Sequence, residues 1–351
     1  MKLFKQLLVA PAALGLLAPI AANADVSTLS NVENQLADVQ AGMFSSTTKL
    51  SGSVNFVTGS TSDKAATEEL HSTYEIKYGL KSSFTGEDTL AVKFEQGNGK
   101  SMGLDAQSST GDPDNTPEIT DIYYSFPLAD DFTVSFGPLM DGDEGLEGTA
   151  SVYGDKAGVS LDYASLAGDG GVGATFGYKS DNGFNASLNL TSVDGADSTK
   201  GVFGDAGTNN TTAQIGYDGD NFGGAVTLLD SDANSSASNF SAVGFGAYYM
   251  PESLPISISA YIDSKDPETG STDDNWAVGV EAEEVGPGTL GFGVGTIDGL
   301  TGDDDKMKYE AWYAFKLNDG TTITPIVYQR EDQGLNGEDE TGAAVTVGFK
   351  F

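Results

Sequence analysis

From Lys49 to Phe351 apolar and polar residues alternate with a period of two, so each segment carries one apolar and one wet face, as a β-strand does. Leu50, Val54 and Phe56 alternate with Ser51, Ser53 and Asn55, and Tyr74, Ile76, Tyr78 and Leu80 alternate with Thr73, Glu75, Lys77 and Lys81. Phe184, Ala186, Leu188 and Leu190 do the same with Asn185, Ser187, Asn189 and Thr191. The dyad recurs at 132–136, 172–178, 213–217, 222–228, 243–249, 256–262, 276–282, 290–294, 307–317, 323–327 and 343–351. Alternation by itself also fits a soluble β-sandwich.

The connections separate the two folds. Short turns fall near Gly86, Ala129-Asp130, Asp181-Asn182, Gly219-Asp220, Glu252-Ser253, Gly286-Pro287 and Asp319-Gly320. Longer polar segments lie between them, near 60–70, 98–116, 140–170, 192–210, 231–238, 264–273, 298–305 and 332–341. Seven turns and eight loops in strict alternation join sixteen strands and leave both ends on the short-turn side, the periplasmic side of outer-membrane barrels. Phe84, Phe126, Phe132, Tyr178, Phe184, Tyr217, Phe222, Tyr248, Tyr249, Phe315, Phe349 and Phe351 crowd that end, as an interfacial girdle would. The expected fold is therefore all-β, a 16-stranded antiparallel transmembrane β-barrel over residues 49–351.

No internal apolar run is long enough for a spanning helix, so a membrane role requires a barrel. Lys2 and Lys5, the apolar stretch Leu7 to Ile20 and Ala22-Asn23-Ala24 have the form of a Sec signal peptide over 1–24. Leu29, Val32, Leu36, Val39 and Met43 are spaced for one short heptad helix within 25–48, marginal unless it packs on something. Cysteine is absent, so disulfides are excluded. The formal charge of −35, and of −37 without Lys2 and Lys5, argues against a nucleic-acid partner.

Catalytic constellations are thin. His71 is the single imidazole, expected in an exposed loop, and an enzyme of the serine-hydrolase kind lacks the histidine it needs. No catalytic residue, metal or cofactor is expected. Asp218-Gly219-Asp220-Asn221 lacks the twelfth-position Glu of a calcium loop and is expected as a tight hairpin. Thr301-Gly302-Asp303-Asp304-Asp305 suits weak divalent bridging to lipopolysaccharide, though a plain solvated charge run explains it as well.

A sixteen-strand barrel leaves an aqueous channel. The longest connection, 140–170, is the natural element to narrow it by folding inward, and it carries Asp141, Asp143, Glu144, Glu147, Asp155, Asp162 and Asp169 against Lys156. Alternation places Lys77, Lys81, Lys93, Lys306 and Lys308 on the lumen wall with Glu75, Glu95 and Glu310. Pairing Lys77 with Lys93 would also pair Glu75 with Glu95, so the register is expected to shift by two, setting Lys77 against Glu95 or Glu75 against Lys93. The expected pore constriction comprises Asp141, Asp143, Glu144, Glu147, Asp155, Lys77, Lys93, Lys306 and Lys308.

The leader MKLFKQLLVAPAALGLLAPIAANA, the entry Phe44-Ser-Ser-Thr-Thr-Lys-Leu-Ser-Gly-Ser-Val54, the strand Phe132-Thr-Val-Ser-Phe-Gly-Pro138 and the ending Gly348-Phe-Lys-Phe351 resemble cyanobacterial outer-membrane porins of the carbohydrate-selective, OprB-like superfamily. The resemblance implies a homotrimer that passes small solutes and inorganic ions passively, carbohydrates among them, with the third loop in the pore. It also implies that Phe349 and Phe351 form the signal read by the barrel-assembly machinery. Members commonly carry a surface-layer-homology domain and a coiled coil before the barrel, whereas here 25–48 resembles a stub, and a peptidoglycan tether is not carried over. The clustered eyelet arginines of anion-preferring porins are likewise missing, since Arg330 stands alone. The competing expectation is a cell-surface β-structural or adhesion protein without a channel.

Overall fold

Sixteen antiparallel strands form among the described residues: β1 (Thr48–Thr61), β2 (His71–Ser82), β3 (Thr89–Gly97), β4 (Glu118–Ala129), β5 (Phe132–Gly142), β6 (Gly168–Lys179), β7 (Phe184–Ser192) and β8 (Asn209–Asp218), followed by β9 (Phe222–Asp232), β10 (Phe240–Tyr249), β11 (Ile256–Pro267), β12 (Asp273–Val285), β13 (Gly288–Thr296), β14 (Met307–Asn318), β15 (Thr321–Arg330) and β16 (Glu340–Lys350). This computed structural model describes residues 47–62, 69–108, 116–159, 166–234, 238–296 and 306–351. The expected leader, most of the 25–48 helix, Asp162 and the Thr301 to Asp305 run lie outside them. Thr48, placed at the end of that helix by the heptad spacing, opens β1 instead.

The strands close into a barrel in sequence order, with β1 beside β16 as well as β2. Closure runs to the last residue: Phe351 N–H donates to the Gly52 carbonyl (3.0 Å) and Gly52 N–H donates to the Phe351 carbonyl (2.9 Å). A closed ladder leaves no strand edge exposed, which a spanning β-structure requires.

The barrel is inside out relative to a soluble domain. Phe56, Phe136, Phe176, Ile215, Phe245 and Phe292 are each about half exposed and all point outward, while Asn185, Asn189, Thr191 and Thr212 point inward and are fully buried. An apolar outer band over a polar interior decides against the sandwich. At the short-turn end rings pair across neighbouring strands, as in Phe132 with Tyr178 (4.8 Å between centroids) and Tyr217 with Phe222 (5.6 Å).

One connection departs from the expected alternation. The sixth long loop shrinks to 268–272, no longer than the turns 83–88 and 250–255, because β11 and β12 pair out to Lys265 and Asp273 and absorb residues expected in the loop. The third loop, L3, occupies 143–167. Two register slips in the β5–β6 ladder, between Gly137 and Met140 and again before Gly142, turn the end of β5. Met140 is thereby fully buried inside the barrel beside Ala91 and Tyr123.

Candidate functional site: the barrel lumen and its third loop

Residues 147–157 of L3 run along the inner wall, and their backbone is held there by wall side chains. Glu147 N–H donates to Ser187 Oγ on β7 (2.8 Å), Gly148 N–H to Gln214 Oε1 on β8 (2.7 Å) and Thr149 N–H to Asp218 Oδ1 on β8 (3.1 Å). Farther round, Val152 N–H reaches Ser259 Oγ on β11 (3.0 Å) and Gly154 N–H reaches Glu281 Oε1 on β12 (2.6 Å). Irregular backbone inside a barrel must find partners for its N–H groups, and here inward-facing polar residues of the strands supply them.

The tip of L3 closes on Glu310 of β14. Its Oε1 accepts the Tyr153 hydroxyl (2.6 Å) and Lys156 N–H (3.1 Å), and its Oε2 accepts Ala157 N–H (2.7 Å). Trp312 Nε1–H donates to the Tyr153 hydroxyl oxygen (3.1 Å), and Lys156 Nζ lies 4.8 Å from the Trp312 ring centroid. Tyr153, Val159, Leu166, Tyr261, Trp312 and Tyr328 belong to one buried apolar cluster. The barrel's main apolar core thus lies inside it, under L3.

Close approach is possible because the wall lacks side chains along L3's path. A Cβ on Gly246 would collide with Ala150, and one on Gly279 would enter the Tyr153 ring. Gly173, Gly177, Gly244, Gly293 and Gly295 are further inward glycines of the strands beneath it. That stripe is the signal from which the track of L3 can be read in advance.

The wall of β2 to β4 carries charge instead. Lys77 pairs with Glu75 (2.9 Å) and Glu95 (3.6 Å), and the backbone register sets Lys77 opposite Glu95, the shifted register expected from charge pairing. Lys93 bridges Asp121 on β4 (3.0 Å) and Glu144 at the root of L3 (2.9 Å), and Asp141 at the end of β5 interacts electrostatically with Lys93, Glu144 and its neighbour Asp143. The Lys77 and Lys93 side chains face inward yet are 50% and 37% exposed, so water reaches the interior along this sector.

The structure therefore brings Asp141, Asp143 and Glu144 together with Lys93, places Lys77 nearby on β2, and lays Glu147 against β7. Asp155 belongs to the L3 tip. Lys308 shares the inward face of β14 with Glu310. Lys306 precedes β14 and pairs with Asp332 in the last loop (2.6 Å), away from the contacts of L3. His71 is not an exposed loop residue. It is the first residue of β2, half-buried, with Nε2 2.7 Å from Ser101 Oγ. Asp218 opens the expected tight hairpin, but its carboxylate turns inward to Thr149 and to Lys179 (3.3 Å). Glu310 lies on the lumen face expected from alternation, whereas Gln214, Trp312 and Tyr328 are interior determinants that the sequence left without a role and Asp218 is expected only in its hairpin.

No family model matches the chain, and no curated protein matches it. Solved structures do. Pseudomonas putida OprB in its high-pH form is 12% identical and superposes with a TM-score of 0.63, covering 92% of this chain and 97% of its own. The anion-selective porin from Comamonas acidovorans is 14% identical with a TM-score of 0.62, covering 87% and 99%. OmpT of Vibrio cholerae, with its eighth loop deleted, is 12% identical with a TM-score of 0.58, covering 87% and 99%. The chain has the bacterial porin fold.

Proposed function

We propose that this chain is an outer-membrane porin, a water-filled channel for passive diffusion of small hydrophilic solutes and inorganic ions, with modest cation preference. The observation that carries the reading is the pair of inward yet water-exposed lysines, Lys77 on β2 and Lys93 on β3, in the sector where L3 reaches the wall through Glu144 at its root. Six carboxylates, Glu75, Glu95, Asp121, Asp141, Asp143 and Glu144, surround these two ammonium groups, so the field along that sector is negative. For this reason the anion selectivity named for the Comamonas porin is not carried over.

Within the same proposal the eyelet is formed by Asp141, Asp143, Glu144, Glu147, Asp155, Lys77 and Lys93, with Lys306 and Lys308 nearer the loop end. The chain is exported by its leader to a Gram-negative type envelope, cyanobacterial by the resemblance, and inserted through recognition of Phe349 and Phe351. It assembles as a homotrimer in lipopolysaccharide-containing membrane, and carbohydrates are among its solutes.

The test is the zero-current potential across planar bilayers under a KCl gradient. Neutralising Asp141, Asp143, Glu144 and Glu147 together lowers the cation preference of the pore. An unchanged potential would remove L3 from the selectivity argument.

A further inference from the structure

The single arginine of the chain lies where two loops meet, its side chain 14% exposed. Arg330, at the end of β15, donates from Nη1 to the Met102 carbonyl (3.0 Å) and to Glu340 Oε1 on β16 (3.0 Å), and from Nη2 to the Gly103 carbonyl (2.9 Å) and the Ala157 carbonyl (3.0 Å). Met102 and Gly103 belong to the second loop, L2 (98–117), and Ala157 to L3. The two loops also touch directly, since Asp105 N–H donates to the Lys156 carbonyl (3.2 Å).

Everything around the guanidinium is arranged to hold it. Its plane lies over the Tyr328 ring (4.4 Å), and the Tyr328 hydroxyl donates to the Met102 carbonyl (3.1 Å). Gly103 has φ +64°, which turns its carbonyl toward Arg330, and a Cβ there would press on the guanidinium. Met102 and Leu104 are fully buried against Val57 of β1 and Ala344 of β16, so L2 is folded into its own barrel. A planar fork with five donors suits three carbonyls and a carboxylate at once, and an ammonium does not.

We infer that Arg330 is a positioning residue that joins L2 and L3 into one constricting unit, and that it sets the cross-section of the channel without lining it. The inference rests on the channel reading. Without the fork, L2 keeps its bonds to the wall through Gln107 and Ser108 and L3 keeps those to β7–β14, but the Met102, Gly103 and Ala157 carbonyls lose the group that joins them, so the two loops part at this junction and the lumen widens there.

The experiment is unitary conductance of the full-length protein in planar bilayers, with folding checked by the heat-dependent gel shift of closed barrels. Removing Arg330 alone would take the cation from beside the buried Glu340 carboxylate, so the variant is R330M combined with E340Q. Its unitary conductance rises above the wild-type value, because the junction that narrows the lumen opens, and R330K falls between. The double variant M102A/L104A leaves the wall intact and loosens only L2, and it moves conductance in the same direction even where R330M/E340Q does not fold. Wild-type conductance in folded R330M/E340Q, or in M102A/L104A, overturns the assignment. Absence of conductance in the wild type would fail the channel reading instead.

Discussion

Replacing Glu310 with alanine removes the acceptor on which the tip of L3 closes. Glu310 is 4% exposed, and its two shortest bonds are from the Tyr153 hydroxyl (2.6 Å) and Ala157 N–H (2.7 Å), both on buried residues. A hydrogen bond to a charged group contributes about 1.5–3 kcal/mol, so losing two costs about 3–6 kcal/mol if they were independent. They share one carboxylate and are not independent, and the lower end, about 3 kcal/mol, corresponds to about a hundredfold rise in tip opening. Hydrogen exchange in detergent micelles reads this directly: the amides of 153–159 lose about two decades of protection in E310A. The amides of Glu147, Gly148 and Thr149 stay protected, because Ser187, Gln214 and Asp218 still hold them. Unchanged protection at Ala157 in a folded E310A barrel would refute the role given to Glu310, and loss along the whole of L3 would refute the segmental account.

Three further outcomes are expected. Gly279→Val drives a side chain into the Tyr153 ring and displaces the L3 tip, which appears as faster proteolysis between 153 and 159 with the barrel still folded; protection equal to wild type would contradict the glycine track. In the fourth long loop (193–208), bonding from Lys200 lowers the pKa of Asp194 and backbone bonding from Thr199 lowers that of Asp197. Depressed folded values mean a contribution fully present above the unfolded carboxylate pKa of about 3.9 and lost as pH falls through the lower folded values. Protection of the 193–208 amides, corrected for the intrinsic pH dependence of exchange, therefore stays constant from pH 7 down to about 4, and loosening near pH 6 would count against it. Phe351→Ser lowers the fraction of chain that folds into membranes through the assembly machinery, measured by heat-dependent gel mobility, whereas equal yields would exclude the terminal ring as a signal.

Strand number, antiparallel order and the two faces of the plainly alternating segments were legible in the sequence because period-two polarity is local and survives any tertiary arrangement, whereas the inward aromatics Trp312 and Tyr328 were not. The Lys77 to Glu95 register was legible too, since opposing like charges exclude the alternative. The inward course of L3 followed from its length and from the width of a sixteen-strand barrel. What stayed hidden depends on backbone atoms. The N–H groups of Gly148, Val152 and Ala157 carry no label in side-chain identity, so Glu310 reads only as a wall residue and Gln214 and Ser259 carry no expectation, although all three hold L3. Arg330 reads in the sequence only as a lone arginine that leaves an eyelet cluster unsupported, and its work is to bind carbonyls of two loops. His71 read as a loop residue because the bond from its ring to Ser101 spans L2, which no local pattern encodes.

The central claim is that water and ions pass through the interior beside L3. Purified protein added to a planar bilayer in symmetric KCl should produce discrete, ohmic conductance steps, and under a salt gradient the zero-current potential should carry the sign of a cation-preferring pore. Insertion of folded barrels without any conductance step would contradict the channel and leave a closed surface barrel in its place.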